Sequence, residues 1–251
     1  MFLKGLFIQY LITIIAFVIP PFFNSNEFSI ERLISFSPFI IFQILISLLY
    51  FFQYIKIKKQ NLLEKNILLK QKVAEVSETN LTETNKTVRI INFLKYTSIT
   101  LGLLLLTHCA FQFLQMLFLS SQSSNSANLN GNLKEKINFI HWAIIFVNLL
   151  VSAFYEEVIY RMFLPEYLHL FCKKIKSCKA KKIVAFICEF LVILCFAFSH
   201  FYLGIIPVLN AFICGLILRI CFIKSEGITS GFCAHFIYNL LLTIFTIVLA
   251  C

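Results

Sequence analysis

The chain contains no aspartate. All twelve of its acidic residues are glutamate, and charged residues of both signs make up only 14% of 251 positions, so each carboxylate can be located and questioned on its own. No C-x-x-C pair occurs among the nine cysteines, most of which lie inside apolar runs. That absence argues against a structural zinc site or a disulfide framework and for buried reduced thiols. H-E-x-x-H is also missing, so no zinc-protease helix is written into the chain. No internal repeat is visible, which argues against the paired halves of a transporter. The apolar run 6–23 is followed by no small-residue cleavage site, so it is read as a retained membrane helix and not as a signal peptide.

Apolar side chains are abundant. They account for 59% of residues, with 30 Phe and a mean hydropathy of +0.86, values outside the range of an ordinary soluble domain. The expected fold is all-α, a polytopic transmembrane helix bundle. A spanning helix needs about 20 apolar residues, and seven runs qualify: 6–23, 33–55, 96–119, 137–163, 183–202, 205–223 and 230–250. Basic residues fall between these runs. Residues 56–95 hold nine Lys or Arg and residues 171–182 six Lys, whereas 24–32 and 120–136 hold one and two. The +10 net charge therefore reads as a topology signal and a set of lipid contacts, with the bilayer as partner and no nucleic acid. It puts the N-terminus and both basic segments on the cytoplasmic side of the cell membrane. The chain is expected to divide into residues 1–95, membrane helices plus a basic cytoplasmic segment, and residues 96–251, a membrane-embedded core whose last four spans carry the chemistry.

One stretch disturbs the apolar pattern. In Phe154-Tyr155-Glu156-Glu157-Val158-Ile159-Tyr160-Arg161, three ionisable groups sit inside a membrane helix. One charge at the centre of a spanning helix costs roughly 2.5 to 3.5 kcal/mol, so an uncompensated trio would cost on the order of 8 to 10 kcal/mol. Residues four apart share a helical face, so Glu157 and Arg161 can pair, while Glu156 lies about 100° around the axis and keeps no such partner. A buried ion pair that fixes packing is the plain reading of Glu157 with Arg161, and it leaves Glu156 unexplained.

Two later spans carry imidazoles at the same spacing, in Phe196-x-x-x-His200 and His235-x-x-x-Asn239. Counted at 1.5 Å per residue from the basic ends, Glu157, His200, His235 and Asn239 lie about 16 to 27 Å deep, within one to two turns of a common level. Such a group suits hydrolysis without a covalent intermediate. A carboxylate beside an imidazole can deprotonate water, and a second imidazole with an amide can donate to an oxyanion. Covalent catalysis is disfavoured, because Ser199 is expected to face away from His200 and no cysteine lies four residues from a histidine. His108, His141 and His169 fall outside the pattern. Glu189, Arg219 and the lysines of 173–182 read as packing, snorkelling or topology residues. Pro165 is expected to end or kink the helix just past Arg161 and to open a path from the cytoplasm.

Glu-Glu-x-x-x-Arg, Phe-x-x-x-His and His-x-x-x-Asn, in that order on successive membrane helices over residues 154–239, resemble the CPBP family of intramembrane glutamic proteases. That family is named for CAAX proteases and bacteriocin-processing enzymes and includes the Ras-converting CAAX endopeptidase. The resemblance implies that Glu156 and His200 activate water, that His235 and Asn239 form the oxyanion site, and that Glu157, Arg161 and Phe196 support them. It also implies a membrane-associated peptide or protein as substrate, prenylated or not. Family members need no metal as usually described, although an older zinc reading of the same residues exists, so the expected cofactor is none, with zinc left open. The alternatives are a non-catalytic membrane scaffold or bacteriocin-immunity protein of the same fold, and a proton-coupled transporter.

Overall fold

The computed structural model describes residues 39–72, 82–119, 138–172 and 175–249. The expected first span, 6–23, lies outside them. The described elements are all helical: α1 (Phe39–Lys72), α2 (Thr82–Leu119), α3 (Phe139–Glu156), a π-helical segment (Glu157–Phe163), α4 (Leu164–Cys172), α5 (Cys178–Phe198), a 3-10 turn (Phe201–Leu203), α6 (Ile205–Ser225) and α7 (Thr229–Leu249). Five stretches are long and apolar enough to cross a membrane: Ile40–Lys59, Thr87–Leu117, Phe139–His169, Ile205–Ser225 and Thr229–Val248. With five such helices among the described residues, the chain is a multi-pass membrane protein. The expected span 183–202 corresponds to α5, which at 21 residues is as long as α6 but carries Lys179, Lys181, Lys182 and Glu189, stops at Phe198 and is not among the five.

Local chemistry fixes the helix ends. Asn138 caps α3 by accepting from the His141 backbone N–H at 3.1 Å, and His141 Nδ1 accepts from the Asn138 N–H at 3.1 Å. The two form a reciprocal capping box. Ser177 caps α5. Gly204, at φ 100°, takes a conformation that a Cβ would strain, and this lets the chain reverse between α5 and α6.

The helices pack so that α2 lies against α6 and α7, α5 against α6, and α1 and α7 against α3. Around the π segment the core is aromatic: Tyr50 of α1 stacks on Phe163 with centroids 3.9 Å apart, and Phe163 meets Tyr167 at 4.3 Å. Gly215 lets α5 and α6 approach closely, since a Cβ there would lie 3.0 Å from Phe196 Cδ1. Large apolar side chains such as Phe113, Met116, Phe186 and Phe245 stay exposed on the outside, which suits a surface solvated by lipid. Lys58 Nζ donates to the Glu226 carbonyl at 2.9 Å, tying α1 to the end of α6 on the side of the bundle where the basic segments lie.

Candidate active site

The helix carrying the two glutamates widens where the charges begin. From Glu157 to Phe163 the backbone is π-helical, with the Leu164 N–H bonded to the Ile159 carbonyl five residues back. Such turns gather at functional sites. Pro165 follows them, buried, and the helix runs on through it into α4. The helix therefore does not end at Pro165. Proline has no N–H to offer the Arg161 carbonyl four residues earlier, and Arg219 of α6 supplies one, its Nη1 donating to that carbonyl at 2.6 Å.

Arg219 is itself anchored. Its Nε donates to Glu189 Oε2 at 2.8 Å and its Nη2 to Glu189 Oε1 at 2.5 Å. Glu166 Oε1 stands 3.8 Å from Nη2, and His169 Nε2 stands 2.7 Å from Glu189 Oε1. Of the packing, snorkelling and topology roles open to Glu189 and Arg219, theirs is packing: they form a bidentate pair holding the backbone of the motif helix. Partners 30 residues apart on two helices leave no spacing signal in the sequence.

Glu157 and Arg161 meet as the i, i+4 spacing indicates, with Nε 3.5 Å from Oε1. Both are sealed from solvent, at 0% and 2% exposure. The Arg161 guanidinium lies over Phe196, 3.8 Å from carbon to ring centroid, and its three nitrogens have no hydrogen bond. Its charge is thus held by a carboxylate and a ring face, which gives the phenylalanine of the second motif a physical task. Tyr160 packs edge-on against the same ring at 5.3 Å.

Glu156 stands apart from this network and faces a cavity of about 400 Å³. Ser152 Oγ, one turn earlier, donates to Glu156 Oε1 at 2.9 Å. Its spacing of four from Glu156 was readable in the sequence and was missed. His235 reaches both carboxylates: Nδ1 is 3.0 Å from Glu157 Oε1 and Nε2 is 3.7 Å from Glu156 Oε2. Facing an acceptor, Nδ1 carries a hydrogen and donates to Glu157, which fixes the ring and turns Nε2 towards Glu156 and the cavity. This link to Glu157 was not anticipated.

His200 lies two residues beyond the last residue of α5 and not within a membrane helix as expected. The turn brings its Nδ1 to 3.0 Å from the Phe196 carbonyl and 3.2 Å from Ser199 Oγ. Ser199 therefore does not face away from His200. Its hydroxyl, however, donates to the Phe196 carbonyl at 2.7 Å. Glu156, Phe196, His200, His235 and Asn239 all line the same cavity, and no direct bond joins Glu156 to His200. The cavity also takes in His108, whose Nδ1 is 3.5 Å from Tyr238 Oη. His108 therefore belongs to the cavity wall although it lies outside the motifs.

As a metal site the arrangement fits poorly. Glu157 Oε1 is taken by His235 and Arg161, and among the described residues no three His, Cys, Asp or Glu are grouped so as to hold an ion.

Comparison with curated proteins and with solved structures gave no match. Residues 138–241, from the cap of α3 to two residues past Asn239, match the family model Rce1-like, described as type II CAAX prenyl endopeptidase Rce1-like. The matched segment holds every residue of the three motifs, and over it the chain is similar to the CAAX proteases that those motifs resemble.

Proposed function

We propose that the chain is an intramembrane endopeptidase that hydrolyses a peptide bond of a membrane-associated protein or peptide without a covalent intermediate. Glu156, with His200 across the cavity, takes a proton from water, and the resulting hydroxide attacks the carbonyl carbon of the scissile bond. The Nε2–H of an imidazolium at His235 and the amide of Asn239 donate to the oxyanion that forms. Collapse of that intermediate breaks the C–N bond, and the proton held by Glu156 passes to the leaving amine. Glu157 and Arg161 take no part in bond making. With Phe196 they orient His235 and the π segment.

The observation that carries this reading is the convergence of Glu156, His200, His235 and Asn239, from two helices and a turn, on one cavity. The similarity of residues 138–241 to type II CAAX prenyl endopeptidases supports the endopeptidase part of this reading. In keeping with the charge pattern, the N-terminus and the basic segments are cytoplasmic.

The test compares membrane peptides by mass spectrometry with the wild type and with Glu156→Ala. Cleavage should fall by about 10²- to 10⁴-fold, with the melting temperature in detergent unchanged. Cleavage at the wild-type rate would overturn the assignment. One feature favours a second reading, a membrane scaffold or immunity protein of this fold: the Glu157, Arg161, Glu189 and Arg219 network needs no chemistry to justify it. That reading predicts a cellular phenotype that survives both Glu156→Ala and His200→Ala.

A further inference from the structure

The cavity is closed at one end and open at the other. Its closed end is the level of His235, at 5% exposure, behind which lie Glu157 at 0% and Arg219 at 6%. From that level exposure rises in the same direction along three of the walls, while Leu149 on α3 and Ile247 on α7 stay buried. On α7 it rises from His235 through half-buried Asn239 to exposed Thr246, on α2 from Leu104 through His108 to exposed Gln112 and Gln115, and past α5 from Phe196 through His200 to exposed Tyr202. The open end is therefore the end of the 3-10 turn, away from the basic segments at 56–95 and 173–182.

The lining limits what can occupy it. Among the described residues no Lys or Arg lines the cavity, and Glu156 is the one carboxylate that does. Polar contacts beyond the motif residues come from the His108 ring and from neutral amides and hydroxyls, among them Gln112, Gln115, Asn210 and Thr243, set between leucine and isoleucine side chains. An acyl chain would have no use for these amides. An extended backbone would, since each of its residues brings one donor and one acceptor.

We infer that the cavity admits an uncharged, extended polypeptide segment from the membrane face opposite the basic segments, the non-cytoplasmic face. The occupant as a substrate rests on the protease reading above. The side of access and the class of ligand do not.

The test is thiol labelling of the full-length chain in cell-derived vesicles of both orientations. Gln115→Cys is introduced with Cys109, Cys178 and Cys251 replaced by Ser, and Lys176→Cys serves as the marker of the basic side. A membrane-impermeant maleimide should label Gln115→Cys only from the face where Lys176→Cys stays unlabelled. Labelling from the same face as the marker, or from neither face, overturns the side of access. A capped nonapeptide of Ala, Leu, Ser and Asn should then protect Gln115→Cys, in the Glu156→Ala background as well. Protection by a short-chain phosphatidylcholine in place of the peptide, or by a Lys- and Asp-containing peptide to the same degree, overturns the ligand class. Because protection is read without cleavage, loss of the protease reading would leave this result standing.

Discussion

Glu156 and Glu157 are neighbours in sequence, yet they belong to regions of the bundle with opposite character. On the Glu157 side every charge is matched and shut away: a carboxylate against a guanidinium, the guanidinium on a phenyl ring, and a second arginine on the backbone behind it. On the Glu156 side there is one carboxylate, a ring nitrogen 3.7 Å away, and neutral walls opening outward. Helix geometry allows both. Adjacent residues stand about 100° apart around the axis, so one side chain meets the sealed packing and its neighbour the cavity. The difference indicates how a membrane helix tolerates three ionisable groups: most of the cost is offset on the sealed side, and a single group is left able to react.

The largest expected effect comes from breaking the sealed side. Glu157→Leu removes the carboxylate partner of Arg161 and the acceptor of His235 Nδ1. Leaving one member of a buried pair uncompensated should cost about 3 to 5 kcal/mol, visible as a lowered melting temperature in detergent and a smaller yield of monodisperse protein. Adding Arg161→Met to that variant should recover most of the loss, because a buried pair replaced by apolar groups is often close to neutral. If Glu157→Leu melts like the wild type, the two sides do not differ as argued.

Gly215→Ala probes the same side more gently. The new methyl would stand 3.0 Å from Phe196 Cδ1 and 3.4 Å from Ile193 Cγ2. Overpacking of this kind costs about 1 to 3 kcal/mol, and the ring displaced is the one beneath Arg161. Lower melting together with slower cleavage is expected. Slower cleavage at unchanged melting would mean that Phe196 serves the open side more than the sealed one.

The sequence made some of this legible, and physics accounts for what it hid. Contacts within one helix follow from spacing, so Glu157 with Arg161 was readable, and so was the isolation of Glu156. The common depth of the motif residues followed from helical rise alone, and the shared cavity agrees with it. The five helices that can cross a membrane coincide with apolar runs seen in the chain. Contacts between helices were not readable. Arg219 with Glu189, and His235 with Glu157, depend on rotations about helix axes that periodicity does not fix, and a basic residue near a helix end could equally have snorkelled. The π segment left only an indirect sign, the missing donor of Pro165, which pointed to a break and not to a carbonyl served from another helix. His200 was placed inside a helix because apolar residues continue past Phe198, yet the turn at Gly204 needs those residues.

The smallest effect tests the open side, at Ser152. Its hydroxyl donates to Glu156 Oε1 at 2.9 Å from one turn earlier on the same helix. It thereby fixes the rotamer of a carboxylate whose side chain is 19% exposed. A single hydrogen bond of this kind contributes about 0.5 to 1.5 kcal/mol. If that contribution is realised in the reaction, Ser152→Ala lowers kcat by about two- to tenfold and leaves KM and the melting temperature near their wild-type values. Ser152→Thr, which keeps the hydroxyl, should restore the rate. A fall in melting temperature with kcat unchanged would assign Ser152 to the sealed side with Glu157. The boundary between the two regions would then pass through Glu156 itself and not between the two glutamates.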